Sequence, residues 1–104
     1  MALYPEAFGP YDPQDDPLFA AKLIVAVMVA DGHSAMLAAL IDGTSEFETI
    51  EGEPGWALER RAADFRAWVP PEVIASGRPE IFVGRATLAA FLEAALSEAR
   101  ARRH

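Results

Sequence analysis

The sequence predicts a mainly α-helical domain, a compact bundle of four or more helices with at most a small β element. Three observations carry that expectation. The chain has 104 residues, is 52% hydrophobic and holds no cysteine, which is apolar matter enough for one core without disulfide or metal staples. Apolar residues recur at helical spacing over 54–69 (Leu58, Ala62, Phe65, Val69) and again over 87–99 (Leu88, Phe91, Leu92, Ala95, Leu96, Ala99). Helix punctuation stands between the apolar runs, with Asp16-Pro17 as a start and Asp31-Gly32 and Gly43 as ends. The alternative is a small α/β domain with strands near 22–30, 45–51 and 80–84, because a short Ile- and Val-rich run satisfies either period.

Residues 1–16 carry Pro5, Pro10 and Pro13 interleaved with Tyr4, Phe8 and Tyr11. Proline at that density blocks both helix and ladder pairing, so this stretch reads as an extended arm preceding a single globular domain over 17–104. Its rings either pack on that domain or anchor the arm to a partner. From Asp16-Pro17 the run LFAAKLIVAVMVA, interrupted only by Lys22, forms the core element and favours helix by its length and start signal. SAMLAALID follows as a helix with Met36, Leu37, Leu40 and Ile41 on one face. The acidic stretch after Gly43 is a short helix with a Ser45–Glu48 capping box or an edge strand around Phe47–Ile50. Residues 54–69 read as a helix closed by Pro70-Pro71. PPEVIAS reads as one further turn stopped by Gly77, PEIFVG as a buried extended segment, and Thr87 as the cap of the last helix. On that helix Glu98 and Arg102 form an i,i+4 pair.

Charge is divided unevenly. Residues 1–53 hold ten carboxylates against Lys22 alone and sum to −9, while residues 54–104 hold eight arginines against six acids and sum to +2. Clustered negative charge disfavours polyanions and steers cationic partners, so no direct nucleic-acid contact is expected. The only basic surface comprises Arg60, Arg61, Arg66, Arg78, Arg85 and the terminal RARRH. No basic start with an apolar h-region opens the chain, and no apolar run reaches the ~20 residues of a membrane span. With cysteine absent, a cytoplasmic protein without membrane contact is expected. The excess of arginine over lysine fits a GC-rich genome.

Motifs that carry chemistry are few. Asp31, His33 and Ser34 have triad residue types, but triads converge from separate elements, and neighbours in one tight turn read better as helix end, turn and helix start. Glu46, Glu48, Glu51 and Glu53 offer oxygens without the regular spacing of a cation loop. No catalytic, cofactor or metal residues are therefore expected. The expected function is that of a small acidic non-catalytic module, an inhibitor, neutraliser or regulator engaging a basic protein, nucleic-acid-binding proteins among them. Glu46, Glu48, Glu51 and Glu53 would steer the encounter and Trp56 would anchor it, with Tyr4, Phe8 and Tyr11 as further contacts. A structural subunit of a larger complex is the alternative, and an enzyme ranks last. A homodimer is the assembly expected.

Overall fold

A four-stranded antiparallel meander, in the order β1-β2-β3-β4, underlies three α-helices in the computed structural model of the chain, which describes residues 4–53, 55–74 and 78–102. The elements are a 3₁₀ turn at Glu6–Phe8, α1 (Phe19–Ala30), α2 (Ser34–Asp42), β1 (Thr49–Gly52), β2 (Trp56–Arg60), β3 (Phe65–Trp68), β4 (Glu80–Val83) and α3 (Arg85–Arg102). The expected bundle of four or more helices is thus corrected to an α/β fold with three helices and one sheet among the described residues, and "helical" does not describe the protein.

The correction lies in the helix expected over 54–69, where residues 56–68 form a β-hairpin. The segment carries both periods at once. Read with period 3.6 it places Leu58, Ala62, Phe65 and Val69 on a stripe. Read with period 2 it places Trp56, Leu58, Phe65, Ala67 and Val69 on one face, and all five are buried. The strand reading buries one more large ring, and it pairs Leu58 with Ala67 and Glu59 with Arg66 across the ladder. Arg61 and Asp64 close the turn, the Arg61 amide donating to the Asp64 carbonyl at 2.8 Å and the side chains pairing at 3.1 Å.

The α/β alternative also differs from the structure, because residues 22–30 belong to α1. The edge strand expected near 45–51 is β1, beginning at Thr49, and the extended segment expected at 80–84 is β4. The expected stop at Gly77 and the terminal Arg103 and His104 lie outside the described residues.

Helix boundaries follow local chemistry. Asp16 sits before α1 as expected, but the helix starts at Phe19, with Asp16 Oδ1 accepting the Leu18 amide at 3.0 Å. At the C-termini of α1 and α2, Gly32 and Gly43 adopt φ of +82° and +79°. The next amides reach back, His33 N to Met28 O at 2.8 Å and Thr44 N to Ala39 O at 3.0 Å, which satisfies carbonyls the helices leave open. α3 begins at Arg85, two residues before Thr87, and buries Leu88, Leu92 and Ala95.

α1 is the central element. It packs on β2, β3 and β4 on one side and against α2 and α3 on the other, so its face is apolar almost all round and Phe19, Ile24, Val25 and Met28 are fully enclosed. The radius of gyration is 12.8 Å, the value of a well-packed chain of about 100 residues. The opposite sheet face is open, as is common for antiparallel sheets. It presents Glu59, Arg66, Trp68 and Phe82, with Arg66 paired to Glu80 and the Arg61 guanidinium 4.6 Å over the Phe82 ring.

The arm folds back on its own domain. Tyr4 stacks on Phe19 at 5.6 Å, Phe8 meets Phe91 at 5.4 Å, and Tyr11 lies edge-on to Phe19 at 4.8 Å. Two polar ties hold it. Glu98 accepts the Glu6 and Ala7 amides at 2.9 and 3.2 Å while also pairing with Arg102 at 2.6 Å. Lys22 Nζ donates to the Phe8 carbonyl at 3.1 Å and to Asp16 at 2.7 Å.

Candidate functional site

β1 ends in Gly52, and the ladder sets Gly52 opposite Trp56 at the start of β2. A side chain at 52 would occupy the indole's place, since a Cβ there would fall 2.3 Å from Trp56 Cζ2. Only glycine lets the ring lie flat over the strand. Trp56 is thereby 93% buried, its exposure being 7%, yet its edges form the wall of adjoining hollows on the surface. Its Nε1 is enclosed with no acceptor, and a buried donor in that state costs ~1–3 kcal/mol.

Trp56 lines an apolar cleft of about 120 Å³, together with Leu23, Ile24 and Val27 of α1, Val69, Val73, Tyr11 of the arm and Glu53. A second hollow that Trp56 also lines is a trough of about 300 Å³ between the α1–α2 turn and the hairpin. Its lining comprises the buried Met28 and Ile50, which form its floor, and the exposed Met36, His33, Asp31, Glu51 and Glu53, which form its rim. A third, more open hollow covers the hairpin tip at Glu51, Glu53 and Gly55. All three share Trp56 and Glu53.

The electrostatics are one-sided. Lys22, Arg60, Arg61, Arg66 and Arg102 are each tied to a carboxylate elsewhere in the fold. Among the described residues Asp31, Glu51 and Glu53 have no ion-pair partner, and neither Lys nor Arg lines the cleft or the trough.

The residues singled out from the sequence separate into three groups. Glu51, Glu53, Trp56 and Tyr11 come together around the hollows. Glu46 and Glu48 stand exposed in the preceding loop and do not line them, Glu48 lying 4.0 Å from Arg60. Tyr4 and Phe8 face inward under the arm. The Tyr4 hydroxyl is enclosed without a partner, and burial, reinforced by Asp16 and Tyr11, pushes its phenol above the ordinary tyrosine range.

Sequence reasoning did not place Met28, Asp31, His33 and Met36 at this site. Their signal was the Asp31–Ser34 turn with a methionine on either side, a pattern that gains meaning only once β1 lies against it. Among the described residues no side-chain hydrogen bond joins Asp31, His33 and Ser34, and no cluster of three or more His, Asp or Glu could hold a metal ion. No described helix is long and apolar enough to cross a membrane. Comparison with protein-family models, curated proteins and solved structures yields no match, so function must be argued from the site itself.

Proposed function

We propose that this protein is a small non-catalytic binding module, an inhibitor, neutraliser or regulator, that engages a basic protein through the groove around Trp56. One observation carries the reading: a buried tryptophan forms the shared wall of an apolar cleft and a trough whose rim carries Asp31, Glu51 and Glu53 with no cation among them. That is the anatomy of an interface, an aromatic anchor with apolar surroundings inside a charged rim. The uncompensated carboxylates supply a field reaching about a Debye length, ~8 Å at physiological salt. Such a field favours cationic partners and disfavours nucleic acid. The absence of cysteine fits a cytoplasmic setting. The reading as an assembly subunit finds less support, because two of the three arm aromatics that would dock it are turned inward.

The test begins with affinity capture from the native host and mass spectrometry, followed by association kinetics on the captured partner. Reversing Glu51 and Glu53 to Lys is expected to slow association at low salt by roughly tenfold or more and to flatten its salt dependence. Reversing Glu46 and Glu48 is expected to do less. A partner that associates with the Glu51→Lys/Glu53→Lys variant at the wild-type rate overturns the proposal.

A further inference from the structure

Resting on that reading of the groove, we infer that the part of the basic partner seated here is a short extended segment. It places one aliphatic side chain in the cleft and one Lys or Arg in the trough, two to four residues along. The two hollows differ in chemistry and share one wall. The cleft is lined almost wholly by carbon, by Leu23, Ile24, Val27, Val69 and Val73. At about 120 Å³ it approaches the size of a ~150 Å³ cavity that accepts a benzene molecule. It has room for one Leu, Ile or Val side chain and no more. The trough is mixed in character, with the carboxylates of Asp31, Glu51 and Glu53 around the buried Met28 and Ile50. A long cationic side chain suits it, laying its methylenes on Met28 and its charge at the rim.

The spacing follows from α1, which borders both. Val27 at the cleft and Asp31 at the trough are four residues apart, ~6 Å along the axis, and Leu23 at the far end of the cleft is ~12 Å from Asp31 at 1.5 Å per residue. An extended chain advances ~3.3 Å per residue, so two to four residues cover the distance. A helix would need up to eight and would present its anchor and cation on a broader front than the cleft accepts.

Charge complementarity selects the cation. The chain's formal charge is −7, and an acidic or neutral segment would leave three carboxylates facing a covered surface uncompensated.

The probe is a set of ten-residue Gly/Ser peptides titrated into isotopically labelled full-length protein. Binding is followed at the Trp56 Nε1–H resonance, at the Ile24 and Val27 methyl groups and at the Asp31 and Glu51 amides. The parent peptide carries one Leu and, three residues on, one Arg, and it is expected to shift all of these. Replacing its Leu by Ser is expected to weaken binding about tenfold and to leave the Ile24 and Val27 methyls unmoved. Replacing its Arg by Ser is expected to abolish the Asp31 and Glu51 shifts, and moving the two residues eight apart is expected to weaken binding as much as losing either. Val27→Phe, which fills the cleft, is expected to remove the difference between the Leu and Ser peptides.

Binding that depends on the Arg alone, whatever becomes of the Leu, overturns this inference and leaves the basic-partner reading standing. Absence of binding by every cationic peptide, together with failure of the protein to retain a basic partner, overturns both.

Discussion

Gly52→Ala tests the packing on which the groove depends. An added Cβ would lie 2.3 Å from Trp56 Cζ2, 2.5 Å from Cε2 and 2.8 Å from Nε1. Carbon pairs rest at ~3.5–4.0 Å, so the indole must retreat by about 1.2 Å. The ring has little freedom to do so, since Trp56 is only 7% exposed, and forcing bulk into a packed site costs ~1–3 kcal/mol. Alanine also restricts the unfolded chain, which returns ~0.4–1 kcal/mol, and the net loss expected is about 1–2 kcal/mol. For a domain of this size that lowers the thermal midpoint by roughly 5–15 °C.

The decisive assay is a double-mutant cycle in urea, followed by circular dichroism. Trp56→Leu removes every indole atom that the new methyl strikes, so Gly52→Ala introduced alongside Trp56→Leu is expected to cost little, with a coupling energy of at least ~0.5 kcal/mol. Equal penalties in the two backgrounds would refute the account of Gly52 as the seat of the indole.

Other predictions follow from the same contacts. Leu92→Ala is expected to cost about 2–5 kcal/mol and Phe91→Ala, at a half-buried ring against Phe8, about 1–3 kcal/mol, while exposed Glu93→Ala stays within ~0.5 kcal/mol. Urea melts check the order, and a Glu93 effect as large as that of Phe91 would be fatal to the assigned face. The raised Tyr4 pKa means that the folded state holds the phenolic proton more tightly than the unfolded chain. Stability is therefore expected to be intact below pH ~10 and to fall as pH rises beyond it. Tyr4→Phe, which also removes a buried hydroxyl without a partner, is expected to flatten that alkaline loss in melts between pH 8 and 11. Glu98→Ala, by freeing the Glu6 and Ala7 amides, is expected to expose residues 4–16 to limited proteolysis while the far-ultraviolet spectrum stays unchanged. Sedimentation of the full chain at high micromolar concentration is expected to show a homodimer, and a single monomeric species would remove that expectation.

What could be read in the sequence was whatever local spacing decides. The α3 stripe, the turn at Asp31–Ser34, the end of α2 at Gly43 and the extended PEIFVG segment depend on residues within one or two turns of each other, and each is where the spacing placed it. The hairpin over 56–68 was not legible because its choice between periods is made by non-local partners. β2 lies between β1 and β3, and β3 lies between β2 and β4, so every ladder bond that favours strand comes from outside the segment or from across its turn. One internal sign pointed the right way. As a helix, the segment leaves Trp56 off its stripe and Trp68 at its border, whereas alternation buries Trp56 fully and half-buries Trp68 on the open face. The site was legible to the same degree. Glu51, Glu53 and Trp56 are close in sequence and remain close in space, while Asp31, His33 and the two methionines join them only through the docking of β1 beside the α1–α2 turn.

The unequal division of charge along the chain takes a definite spatial form. Each described cation of the sheet and of Lys22 has a structural partner: Arg60 with Glu48, Arg61 with Asp64, Arg66 with Glu80, and Lys22 with Asp16, which ties the arm to α1. Most such pairs are exposed, and each contributes at most about 1 kcal/mol, so their chief effect on the surface is to neutralise carboxylates where they lie. The carboxylates around Trp56 receive no such treatment. A folded chain could relieve that repulsion by placing one arginine at the hairpin tip. Here instead Asp31, Glu51 and Glu53 are held around an apolar wall that water solvates poorly. Unrelieved charge beside unfilled apolar surface is a combination that a cationic, partly apolar segment would relieve on both counts. That is why the groove, and not the larger open face of the sheet with its paired Arg66 and Glu80, is where binding should be sought.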